Sequence, residues 1–151
     1  MRGFTLIELI FTITVVAILA ALAAPSFREF IATQRIRNAS FDLVSALTLA
    51  RSEAITRNGS VTLKRTSSAW DGGWTVTTTG LDSLLTQSAY GGLSITDSAK
   101  LNQITYGKDG RATTASTRFT IAPATALSTV QSRCVSIGLS GVPSTSLGAC
   151  S

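Results

Sequence analysis

One carboxylate stands alone in an otherwise uncharged stretch: Glu8, inside the 21 residues from Phe4 to Ala24 (FTLIELIFTITVVAILAALAA). An ionised acid in so apolar a segment is costly and is normally paired or functional. No Lys or Arg lies inside the run to pair with it. The nearest cations are Arg2 and whatever amine begins the mature chain. Cleavage after Gly3 would place a new ammonium on Phe4, four residues from Glu8. Such an amine could offset the carboxylate in the same subunit or in a neighbour, where a low dielectric strengthens the attraction. The plain alternative is that Glu8 snorkels to a membrane surface.

Other chemistry is sparse. The chain has no histidine, which excludes His-based triads, HExxH zinc sites and imidazole bases. Two cysteines, Cys134 and Cys150, cannot complete a structural zinc or iron–sulfur site unaided. Their spacing is not that of a CxxC redox pair. No P-loop or strand–GxGxxG–helix arrangement occurs, and no Ser–Lys pair stands out by spacing. An enzyme, a cofactor or a metal is therefore not expected. Thirteen Lys and Arg against eight Asp and Glu give a net charge of +5. Lys64, Arg65, Lys108, Arg111, Arg118 and Arg133 could contact DNA phosphates if several shared one face. A solvated surface is the simpler reading of so mild an excess.

The elements that would position these groups follow from periodicity. At 151 residues, 44% apolar and only 14% charged, the chain has the length of one domain and enough apolar surface for a core. A helix over 4–24 would be about 31 Å long, which matches a bilayer's hydrocarbon thickness. A cleavable secretory signal is the competing reading. It fits poorly because the basic leader is only Met1-Arg2-Gly3 and Glu8 interrupts the apolar run. Pro25 predicts a kink or partial break, and Ser26-Phe27-Arg28-Glu29 has the S-x-x-E form of a capping box. From Phe27 apolar residues recur at helical spacing (Phe30, Ile31, Leu43, Leu47, Ala50, Ala54), predicting one stripe on a core. Asn58-Gly59 reads as the stop, with Gly59 free to take positive φ. Beyond it, Ser60–Arg65, Trp74–Thr79, Gln103–Tyr106, Arg118–Ala122 and Arg133–Ile137 are strand-like. The signals Asp71-Gly72-Gly73 and Lys108-Asp109-Gly110 mark turns. Thr77–Ala99 reads as a loose loop. Trp70 and Trp74 are expected in the core or sheet. The fold expected is α+β: a long N-terminal helix packed on a C-terminal antiparallel sheet head.

Gly3-Phe4-Thr5-Leu6-Ile7-Glu8, after a very short basic leader and before an apolar helix, resembles the class III signal of type IV pilins and pseudopilins. The middle of the chain is similar to the GspH/FimT group of minor pilins. It carries Leu49-Ala50-Arg51-Ser52-Glu53-Ala54-Ile55-Thr56-Arg57-Asn58, then Val61-Thr62-Leu63 and Trp70-Asp71-Gly72-Gly73-Trp74. Ile104-Thr105-Tyr106-Gly107 with Gly110-Arg111 matches that group's later strand and turn. The resemblance implies cleavage by prepilin peptidase between Gly3 and Phe4, N-methylation of Phe4, and use of Glu8 in peptidase recognition or filament docking. It also implies a helix-breaking role for Pro25. Partners would be other pilin or minor pilin subunits, prepilin peptidase and the inner membrane.

Under this resemblance the chain divides into a leader (1–3), a transmembrane or filament-core helix (4–24), an amphipathic helix (25–58) and a β-rich head (59–151). It would be a single-pass inner-membrane protein with a periplasmic head, later incorporated into a pilus or pseudopilus. In an oxidising periplasm Cys134 and Cys150 are expected to pair, as in the C-terminal disulfide loop of type IV pilins; two free thiols are the cytosolic alternative. The function expected is assembly or priming of a type IV pilus, with a type II secretion pseudopilin of the GspH type as an alternative. A DNA-uptake receptor for natural transformation is a further alternative. FimT-like binders carry Gly-Arg-x-Arg near the C-terminus, where this chain has Gly141-Val142-Pro143-Ser144, without either arginine. The charge pattern opposes the topology: Arg2 precedes the span, but Arg28, Arg35 and Arg37 follow it, against the positive-inside rule.

Overall fold

In a computed structural model the described residues are 4–80 and 83–151. The leader, including Gly3, lies outside them. A single helix α1, Leu6–Thr56, runs for 51 residues, about 77 Å at the usual rise. Pro25 does not break it. A proline removes one N–H donor and crowds the preceding turn, but good helix formers continue on both sides. Ser26 is correspondingly not a cap: its Oγ donates to the Ala23 carbonyl at 3.0 Å, one turn back. The true start lies at Thr5, an extended N-cap whose Oγ1 accepts from the Glu8 N–H at 3.3 Å. Thr5-x-x-Glu8 is itself of capping-box form.

The helix ends in a Schellman arrangement. The Gly59 N–H reaches the Ala54 carbonyl at 3.1 Å and the Asn58 N–H the Ile55 carbonyl at 3.2 Å. Asn58, at φ 49°, takes the left-handed conformation that Gly59 was expected to supply. Asparagine tolerates this region better than other Cβ-bearing residues. Asn58→Ala is therefore expected to lower stability by about 1 kcal/mol, whereas Asn58→Gly should equal or exceed the parent. Urea denaturation of the three chains checks this.

Among the described residues eight strands follow, in two antiparallel sheets where one was expected. The first has the order β3-β2-β1-β5, from β1 Val61–Arg65, β2 Trp74–Thr78, β3 Leu85–Gln87 and β5 Gln103–Tyr106. The second has the order β4-β6-β7-β8, from β4 Leu93–Asp97, β6 Thr117–Pro123, β7 Arg133–Ile137 and β8 Pro143–Leu147. β3 and β4 occupy the stretch read as a loose loop. One 3₁₀ turn, Trp70–Gly72, precedes β2, and Gly73 at φ 92° has no room for a Cβ against the Gln87 carbonyl.

Both sheets lean on the same half of the helix. Ile36, Ala39, Leu43, Ala46, Leu47, Ala50 and Ala54 enter one core with Val61, Leu63, Ile104, Phe119, Ile121 and Val135. The buried stripe begins at Ile36: Phe27 and Phe30, expected on it, are 65% and 58% exposed, because the head does not reach that far down the helix. Trp70 and Trp74 are buried, as expected. Trp70 donates Nε1–H to the Leu101 carbonyl at 3.1 Å and meets Phe119 edge-on with ring centroids 4.9 Å apart.

Candidate functional site

The lower half of α1 buries nothing within the chain. It is long and apolar enough to cross a membrane, and none of that window is covered by the head. Phe4, Leu6, Ile7, Ile10, Phe11 and Leu22 are all exposed. So large an apolar surface demands lipid or protein around it. Glu8 sits in the first turn, where free backbone N–H groups and the helix dipole favour a carboxylate. The Thr5 cap fixes that turn, so the position of Glu8 beside the chain start is built into the helix. Among the described residues the sole ion pair is Arg57 Nε to Glu53 Oε2 at 2.6 Å. Glu8 has no cationic partner within them.

Cys134 and Cys150 are joined in a disulfide, with Cα atoms 5.0 Å apart. The bridge closes around the β7–β8 hairpin, and the Cys150 N–H donates to Thr120 Oγ1 at 3.1 Å. The C-terminal segment forms strand β8, held in place by this bridge.

The six basic residues are not gathered on one face. Lys64 and Arg65 are neighbours on β1 and so point to opposite sides of the first sheet. Arg65 donates to Asn102 Oδ1. Lys108 and Arg111 flank the turn after β5 and are exposed. In the second sheet Arg118 pairs with Ser136 and Arg133 with Ile121. Alternation therefore puts Arg133 on the helix side with Ile121, and Arg118 on the outer side. No shared phosphate-binding surface arises from this set. Arg51, absent from it, fixes the same turn by donating Nε–H to the Gly110 carbonyl at 3.0 Å.

Two tyrosines show how differently buried hydroxyls are treated. Tyr90 donates to Asp42 Oδ2 at 2.7 Å and so ties the loop between β3 and β4 to α1. Burial, then this bond, raise its pKa above the usual range. Tyr106 is wholly buried, and its hydroxyl has no hydrogen-bond partner among the described residues. Burial pushes its pKa up to about 12, with Arg51 opposing. Tyr90→Phe is expected to cost about 1–2 kcal/mol, and Tyr106→Phe to be neutral or to add about 1 kcal/mol. Both tyrosines hold their protons more tightly when folded. Their contribution is intact below pH 10 and is lost as pH rises above it. Denaturation midpoints between pH 8 and 12, in parent and Phe variants, measure both effects.

The profile described as Type II transport protein GspH matches residues 39–141, about two thirds of the chain. The chain belongs to the GspH family. A second profile, the prokaryotic N-terminal methylation motif, matches residues 1–24 of this GspH-family chain. No curated protein sequence matches it. Among solved structures it is similar in fold to the type IV minor pilin FimU of Pseudomonas aeruginosa in two crystal forms. One, at 17% identity and TM-score 0.65, covers 75% of this chain and 89% of FimU. The other, at 18% and 0.62, covers 73% and 91%. The minor pseudopilin EpsH of the Vibrio cholerae type 2 secretion system aligns at 14% identity and TM-score 0.56, covering 76% and 97%. The GspH-family chain thus has the minor pilin and pseudopilin fold.

Proposed function

We propose that this chain is a minor subunit that takes part in assembling or priming a type IV pilus. Its stalk, residues 4–24, is stored in the inner membrane and then transferred into a filament core, while residues 25–58 carry a head exposed to the periplasm. The observation carrying this reading is the wholly uncovered apolar helix with Glu8 in its first turn. Apolar faces of neighbouring stalks replace lipid at little cost, since both are hydrocarbon. Prepilin peptidase cuts between Gly3 and Phe4, Phe4 is N-methylated, and its ammonium meets Glu8 of an adjacent subunit. The methylation-motif match supports this processing. The disulfide-closed C-terminus and the higher fold likeness to FimU than to EpsH favour a pilus over a secretion pseudopilus. Deleting the gene tests the choice. Loss of surface pili with protein secretion intact is expected, and the reverse outcome assigns the chain to secretion. Mass spectrometry of the mature protein should find methylated Phe4 at its start.

A further inference from the structure

Three arginines follow the span on the side where the positive-inside rule disfavours them, and the assembly reading uses none of them. Two are brought together. Arg28 and Arg35, one helical face apart by seven residues, line a depression of about 500 Å3 with Phe27, Ile31, Ala32 and Gly92. Arg35 Nη1 donates to the Gly91 carbonyl at 3.4 Å. A Cβ on Gly92 would come within 3.3 Å of the same nitrogen, so the loop before β4 holds the guanidinium over the depression. No carboxylate lines it, and neither arginine has an ion pair among the described residues. Its floor is apolar, and Phe27 stands exposed at its membrane end. Arg28 lies about 6 Å along the helix beyond Ala24, which is the depth of a headgroup layer on a bilayer of ordinary thickness.

We propose that this depression binds an anionic phospholipid, its phosphate on Arg28 and Arg35 and the first carbons of its acyl chain along Phe27. The site clamps the head against the leaflet from which the stalk emerges, and it rests on the anchoring reading above. Two cations meeting one anion at an apolar floor is the complement of a headgroup, whereas a free anion would leave Phe27 in water. Arg37 is the internal control, because it lies two residues past Arg35 on the same helix yet lines a different groove with Phe41 and Arg133.

The test uses the full chain in nanodiscs of mixed phosphatidylcholine and phosphatidylglycerol, with retained lipids counted by native mass spectrometry. Phosphatidylglycerol should be retained over phosphatidylcholine by about tenfold. That preference should fall to near parity in Arg28→Gln/Arg35→Gln and persist in Arg37→Gln. Equal retention of the two lipids, or an equal loss in Arg37→Gln, would overturn the proposal and leave anchoring intact. Displacement of the lipid by millimolar glycerol phosphate would make this a soluble-anion site and equally overturn it. Failure of the chain to enter nanodiscs would defeat the anchoring reading and the proposal together.

Discussion

Glu8→Ala is expected to reduce incorporation of the subunit into filaments by at least tenfold while leaving the melting temperature of the head unchanged. The two readouts separate because the residue and the core are far apart. Glu8 lies in the first turn of α1, and the buried stripe begins only at Ile36, about 42 Å away along the helix. In a bilayer the carboxylate can reach the headgroup layer and stay hydrated. In a filament core it is surrounded by apolar side chains, where the lack of a partner ammonium costs several kcal/mol. In the proposed assembly, docking on the Phe4 amine of a neighbour would remove that cost, and the acid would then discriminate between a correctly staggered neighbour and a misplaced one. Alanine removes the penalty together with the attraction and leaves the neighbour's ammonium unpaired, so it reports the balance of these terms. Glu8→Gln retains the shape and lacks the charge, and it should behave like alanine. Immunoblots of sheared filaments against whole-cell levels, beside circular-dichroism melts, supply the measurement. Wild-type incorporation in either variant would end the docking role. Incorporation lost together with a lowered melting temperature would point to misfolding instead.

How much of this was legible in the residues depended on the kind of signal each segment carries. The stalk and its acid were plain, because an apolar run of membrane length with one charge is a composition signal that no tertiary contact needs to complete. The helix stop and the five strands with β-branched alternation were also readable, since their periodicity is local. Of the kink or partial break expected at Pro25, the break does not occur: the helix is continuous across it. Thr5-x-x-Glu8 had the same capping form as Ser26-x-x-Glu29, and only the first lies at a helix end. β3, β4 and β8 escaped because their pairing is decided by partners. Leu85–Gln87 is too short to show a period, and Pro143–Leu147 is mostly exposed and rich in serine. The Asp42–Tyr90 bond spans 48 positions, a distance over which sequence spacing carries no signal. The basic residues were countable in advance, but which way each points required the register of the sheets.

That last strand leads to the second large effect. Replacing Cys134 and Cys150 together by serine is expected to lower the stability of the head by about 3 kcal/mol, from the entropy of closing a loop of this length. For a domain of roughly 100 residues that is a fall in melting temperature of about 10–20 °C. The effect should be local before it is global. β8 is an edge strand whose residues Ser144 to Leu147 are exposed. It is held by its ladder to β7, by contact with α1 and by the bridge just beyond its end. Little apolar burial anchors it otherwise, so without the bridge its amides should exchange with solvent while those of β6 and β7 stay protected. β7 carries Val135 and Ile137 into the core and has β6 on its other side, which is why it should survive. Hydrogen exchange on oxidised and reduced protein distinguishes this picture from a general loosening. Protection of β8 that is indifferent to reduction would show that the ladder and the helix suffice, and the bridge would then have to be explained by something other than the stability of the hairpin it encloses.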